Sequence, residues 1–157
     1  MNTIFDIANW FLANIDREAG DTISHLKLQK LVYYAQAWYL ALYDKAIFEN
    51  DFQAWAHGPA NPELYDKYKD YGHEQIPDTE DDINVNANLY DFLLNVLDIY
   101  GKYSAKYLES LTHSETPWIQ TRGNLPEGAY CDSIIEKDLM KKYYREKYEK
   151  EKKGGKK

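Results

Sequence analysis

Apolar residues recur three and four positions apart through most of this chain, the period of an α-helix buried along one face. In the first such window Ile4, Ile7, Ala8, Phe11 and Ile15 form the stripe, Thr3 caps it, and Asp6 completes an approximate capping box. A helix is predicted from Thr3 to about Glu18, ended by Gly20 and Asp21. Trp10 and Leu12 lie off the stripe, so this helix should have apolar contacts on more than one side.

The second window is the strongest. Ser24 can cap it, and Leu28, Leu31, Val32, Ala35, Tyr39 and Leu42 follow the same spacing over about twenty residues. Tyr33, Tyr34, Trp38 and Tyr43 flank that stripe, more aromatic surface than a helix packed on one side could hide. The helix over 24–43 is therefore predicted to be the central one. Beyond Asp44 the period breaks, and a brief extended segment is expected over 51–56. Pro59 biases Gly58 toward extended geometry. Asn61 with Pro62 then opens a third helix that ends at Tyr71 and Gly72.

Residues 73–86 are polar and acidic and read as a surface loop. Leu89, Phe92, Leu93, Val96, Leu97 and Tyr100 predict a helix over 88–100 ended by Gly101, and Ser104 caps a shorter one with Tyr107, Leu108 and Leu111 inside. His113 to Trp118 reads as a turn into one more short helix, with a loop from Arg122 to Ala129 after it. Ile134 and Ile135 are expected to enter a last helix that packs through Leu139, Met140, Tyr143 and Tyr144. The expected fold is mostly α: one compact bundle of about six helices around the 24–43 helix, with a minor β segment near 51–56. Residues 1–148 form the domain, and the periodicity stops there, so 149–157 is expected to be a basic, disordered tail.

Charge sharpens this picture. The net charge of −7 divides into +6 over 137–157 and −13 over 1–136. An acidic body repels phosphate backbones and favours a basic protein partner, so the domain itself is not expected to bind nucleic acid. At 44% hydrophobic and 29% charged residues the chain has the composition of a globular domain, and no run is long and apolar enough to span a bilayer. The N-terminal stretch lacks the pattern of a secretion signal, and a single cysteine, Cys131, agrees with a reducing compartment; the expected location is the cytoplasm, away from membranes.

Candidate chemistry is sparse. There is no HExxH, no CxxC pair, no glycine-rich phosphate loop and no GxSxG. His57 and His113 each sit in a short loop motif beside a tryptophan and a proline, and with Glu63 or Glu115 they could compose a metal or acid–base site. The alternative for His57 is an imidazole that hydrogen-bonds backbone and fixes the turn before Pro59. No cofactor and no catalytic residue is predicted. Fifteen tyrosines, four tryptophans and five phenylalanines exceed what a core of this size needs, and partly exposed aromatics anchor protein interfaces.

Two strings of residues carry a resemblance. Lys27, Leu28, Gln29, Lys30, Leu31, Val32, Tyr33, Tyr34, Ala35, Gln36, Ala37 and Trp38 precede Phe52, Ala54, Trp55, His57, Gly58, Pro59, Pro62, Leu64, Tyr65, Tyr71 and Gly72. Later come Leu111, Thr112, His113, Pro117 and Trp118, then Ile135, Tyr143 and Tyr144. Over about residues 5–145 the chain resembles the Panacea domain, the SocA-like antitoxin family of bacteria and their phages. The resemblance implies a helical domain that neutralises a cognate protein toxin by direct binding, and in SocA-like members an adaptor presenting the toxin to a Clp-type protease. Its candidate partner-binding residues are Lys27, Gln29, Lys30, Tyr33, Tyr34, Trp38, Trp55, His57, Pro59, Tyr65, His113 and Trp118. The competing readings are a phage accessory protein that binds a host factor, and a metal-dependent enzyme centred on the two histidines.

Overall fold

The computed structural model describes residues 1–154. Its elements in chain order are α1 (Ile4–Asn14), α2 (His25–Tyr43), β1 (Phe52–Trp55), β2 (Gly58–Ala60), α3 (Pro62–Tyr68), α4 (Ala87–Tyr100), α5 (Ala105–His113), α6 (Thr116–Arg122), β3 (Ile134–Ile135) and α7 (Lys137–Gly154), with a 3-10 turn over Lys69–Tyr71. The fold is mostly α, as the periodicity predicts, and each of its helices answers to one of the predicted windows.

The helix starts obey their caps. Thr3 and Asp6 form the reciprocal capping box of α1, while Ser24, Asn61, Asn86 and Ser104 each accept the backbone N–H three residues on. α1 stops at Asn14 rather than near Glu18. Ile15 turns extended and is buried, and the freed carbonyls find side-chain donors: Asn14 donates to the Trp10 carbonyl and Arg17 to that of Leu12. Trp10 and Leu12 are buried together with Ile7 and Phe11, so α1 is covered on several sides.

α2 is central. Leu28, Leu31, Val32, Tyr33, Tyr34, Ala35 and Ala37 are all buried, and the helix packs against α1, α3, α4, α5 and α7. Of its flanking aromatics Tyr33 and Tyr34 are buried and Trp38 is half-buried, whereas Tyr43 at the end of the helix is exposed. Asp44 closes it in the left-handed conformation, at φ 56°, and its carboxylate pairs with Lys141 of α7. Lys137, at the start of α7, bonds both the Glu49 carbonyl and the Asp51 carboxylate.

The extended segment near 51–56 is the middle strand of a small sheet of order β2-β1-β3. β1 and β2 form an antiparallel hairpin with Trp55 opposite Gly58, turned by Ala56 and His57. Gly58 does not take the extended geometry expected before Pro59: its φ is +106°. β3 is a correction. Ile134 and Ile135 pair with Gln53 and Phe52 instead of entering the last helix, and the Ala54 N–H bonds the Ser133 carbonyl. Two β-branched residues after a loop satisfy the free edge of β1 better than they could begin a helix.

Two further expectations change. Tyr107, predicted inside, is about half exposed, because Leu108 takes the inward position on α5. The last helix continues to Gly154, past the expected stop at Tyr148; pairs such as Arg145–Glu149 and Lys147–Glu151 at i, i+4 support a helix surface that has no apolar stripe. The end of the predicted tail, 155–157, lies outside the described residues.

Candidate functional site

The polar residues of α2 are spent inside the fold. Gln29 makes a two-way bond with the backbone of Asn61, donating to its carbonyl at 3.0 Å and accepting its N–H at 2.9 Å. Gln36 does the same for the loop before β1, donating to the Phe48 carbonyl and accepting the Ile47 N–H. Lys27 donates to the Gly101 carbonyl at 2.6 Å, and Lys30, fully buried, donates to the Pro59 carbonyl at 3.2 Å. Burial lowers both ammonium groups, that of Lys30 to about 8. Four polar side chains on one helix thus hold three loops and the hairpin by their backbones, which is why a central helix can be so polar.

Tyr33 and Tyr34 are buried too. The Tyr34 and Tyr144 hydroxyls both donate to Glu115 Oε1, at 2.7 and 2.9 Å, and Tyr33 and Tyr144 hydroxyls lie 3.2 Å apart. Tyr34 stacks on Tyr100 at 4.1 Å, and the Trp38 indole donates to the Tyr100 hydroxyl. Glu115 is 3% exposed, its Oε2 has no partner, and burial raises its pKa above the usual carboxylate range. This cluster ties α2, α4, α7 and the start of α6 together. Of the candidate residues, Lys27, Gln29, Lys30, Tyr33, Tyr34, Pro59 and Trp118 are buried and Trp38 is half-buried.

The histidines are not brought together. His57 is exposed and its Nδ1 lies 3.1 Å from a Glu109 carboxylate oxygen, so it bonds a side chain on α5 rather than backbone. His113 stacks on Trp118 at 3.9 Å, and its Nδ1 lies 3.0 Å from Glu127. The two rings line different concavities. Glu63 accepts from Asn50, and Glu115 serves the tyrosines, so the four residues do not form one site. Among the described residues no group of three or more His, Cys, Asp or Glu is placed to hold a metal ion.

A concavity opens beside the hairpin. About 550 Å³ in volume, it is lined by Gln53, Trp55, Ala56, His57, Pro62, Tyr130, Cys131 and Asp132. Alternation along β1 turns Phe52 and Ala54 into the core and Gln53 and Trp55 outward. The Trp55 indole N–H donates to Gln53 Oε1 at 2.7 Å, and Tyr65 of α3 meets the indole edge-to-face at 5.2 Å. The far wall comes from the 123–133 loop, held by Arg122. That guanidinium donates to the Ala54 carbonyl of β1 and to the carbonyls of Pro126, Glu127 and Ala129, and lies over the Trp118 ring. Trp118 in turn donates to the Trp55 carbonyl at 2.7 Å.

Of the predicted residues, half-buried Trp55 and exposed His57 therefore line one concavity with Tyr65 packed against the Trp55 ring, while His113 and Trp118 stand behind it. Gln53, Glu109, Arg122, Tyr130 and Asp132 complete the surroundings without having been singled out. The outward position of Gln53 is set by its i, i+2 relation to Trp55. Nothing local signals Tyr130 and Asp132, which are held between the Arg122 clamp at Ala129 and the β1 contact at Ser133.

A mostly helical domain organised on the Lys27–Trp38 helix and the Trp55–Pro59 hairpin is what the Panacea signatures describe. The chain belongs to this family: the model for "Antitoxin SocA-like, Panacea domain" matches residues 28–119. That span takes in α2 from Leu28 onward, the hairpin and the turn into α6, and stops short of the Ile135, Tyr143 and Tyr144 positions. Among curated proteins the chain is similar to Antitoxin SocA of Caulobacter vibrioides (strain NA1000 / CB15N), 28% identical over 131 residues, covering 72% of this chain and 70% of the relative. No solved structure matches it significantly. Among the described residues no helix is long and apolar enough to cross a membrane.

Proposed function

We propose that this protein is an antitoxin that neutralises a cognate protein toxin in the cytoplasm by binding it directly, without chemistry of its own, through the aromatic face around Trp55. The observation that carries the reading is the match of residues 28–119 to the SocA-like antitoxin family. Two features of the chain favour it. The acidic body suits a basic protein partner better than a nucleic acid, and Trp55, Tyr65 and Tyr130 present aromatic surface beside a concavity, the composition of interface anchors.

Co-expression tests it. A short neighbouring reading frame that arrests growth alone should be harmless when this protein is made with it, and Trp55→Ala should restore arrest while helicity and melting temperature stay unchanged. Arrest that persists with the wild-type protein sinks the reading for that pair. Delivery to a Clp-type protease is a second step of the same proposal, read from toxin half-life: the antitoxin should shorten it, and loss of the protease should lengthen it again.

A further inference from the structure

The concavity beside the hairpin has a chemistry more specific than an apolar groove. Its walls are the Trp55 indole, the Tyr130 ring and Pro62, and Asp132 contributes a carboxylate to its lining. Among the described residues no lysine or arginine lines it. The ring of Trp55 is fixed in advance, by the Gln53 bond at one edge and by Tyr65 against it. Gln53 accepts that bond through Oε1. Tyr130, 74% exposed, donates to Asp132 Oδ2 at 3.2 Å, leaving Oδ1 outside this bond. Arg122, the nearby buried cation, is committed to four backbone carbonyls.

We propose that this concavity receives an arginine side chain from a basic segment of the protein partner, the guanidinium lying against the Trp55 or Tyr130 ring and bonding the Asp132 carboxylate. Planar aromatic faces and a carboxylate together suit guanidinium in particular, which stacks on rings and bonds carboxylates through a fixed fork; a lysine ammonium is more strongly hydrated and cannot stack. The volume of about 550 Å³ exceeds what one side chain needs, so flanking residues of the partner enter as well. The −13 charge of residues 1–136 draws a basic segment toward this face, and the prearranged Trp55 lowers the ordering cost of binding. The inference rests on the antitoxin reading only for the identity of the partner; the arginine site itself is independent of it.

The test needs no toxin. Blocked tripeptides Gly-Arg-Gly, Gly-Lys-Gly and Gly-citrulline-Gly are titrated into the full-length protein, and amide and indole N–H signals are monitored by NMR. The arginine peptide should move the Trp55 indole, Tyr130 and Asp132 signals. The neutral isostere citrulline should bind about 10-fold more weakly, with lysine in between, and Asp132→Asn should bring the arginine peptide down to the citrulline level. Equal shifts from arginine and lysine would show only attraction to an acidic surface and overturn the site. So would shifts elsewhere, or arginine binding unaffected by Asp132→Asn with the remaining spectrum intact. Neutralisation of a toxin by a protein that fails this titration would overturn the arginine site and leave the antitoxin reading standing; the reverse outcome would do the opposite.

Discussion

The ε-carbon of Lys30 lies 2.6 Å from where a β-carbon on Gly58 would stand, and its ammonium group bonds the carbonyl of the next residue, Pro59. Helix and hairpin meet here with no room for a side chain. Thr112 Oγ1 of α5 closes the same space from the other side, at 2.8 Å from that position. Gly58→Ala would meet both neighbours and a φ of +106° that L-residues resist. It should cost at least about 2 kcal/mol in urea unfolding, whereas Gly72→Ala, with a positive φ but open surroundings, should cost less.

The buried ammonium of Lys30 makes stability depend on alkaline pH. Burial holds its pKa at about 8, below the free value of 10.5, so from about pH 8 upward the folded state binds fewer protons than the unfolded one and stability rises. The cost of keeping it charged at neutral pH is about 3 kcal/mol. Unfolding free energy measured from pH 7 to 9.5 should increase, and Lys30→Met should remove most of the rise, leaving the smaller part from Lys27, whose pKa is also lowered. Above pH 10 the buried tyrosines, with hydroxyl pKa values raised by burial, reverse the slope.

Glu115 gives the opposite sign in acid. Burial raises its folded pKa, so the folded state holds the extra proton and stability is lost as pH climbs from the unfolded value near 4.5 through the folded one. The difference in stability between wild type and Glu115→Gln should therefore move in favour of the variant across that window. Tyr34→Phe, which removes one of the two hydroxyls on Oε1, should cost about 1–3 kcal/mol at neutral pH. A flat difference curve for Glu115→Gln would mean the carboxyl is not desolvated as described.

Arg122→Lys keeps the charge but loses the fork that holds four carbonyls. The 123–133 loop should then be cut faster by protease than in wild type, and stability should fall by about 2–4 kcal/mol. Equal cleavage rates would show that the loop is held by other contacts.

Four helix starts were legible because their caps lie in neighbouring residues: Thr3 with Asp6, Ser24, Asn61 with Pro62, and Ser104 each cap the helix that begins beside them. β3 was not, since Ile134 and Ile135 become a strand only because β1, some eighty positions earlier, offers an open edge. The site divides along the same line. Trp55, His57 and Tyr65 lie within one short stretch and were among the candidate partner-binding residues. Tyr130 and Asp132 reach the site through the distant Arg122 clamp on one side and the pairing of β3 with β1 on the other. The α2 residues misled in a different way: Lys27, Gln29 and Lys30 look like a surface on paper, and the carbonyls that bury them belong to distant loops.

Tyr33 and Tyr144 touch across 111 positions of chain. During synthesis α2 therefore leaves the ribosome long before α7, and the nascent protein must carry Tyr33, Tyr34 and Trp38 without their Tyr144 contacts until α7 emerges. Chains interrupted before Tyr144 would lack those contacts permanently, making them the natural prey of chaperones and proteases.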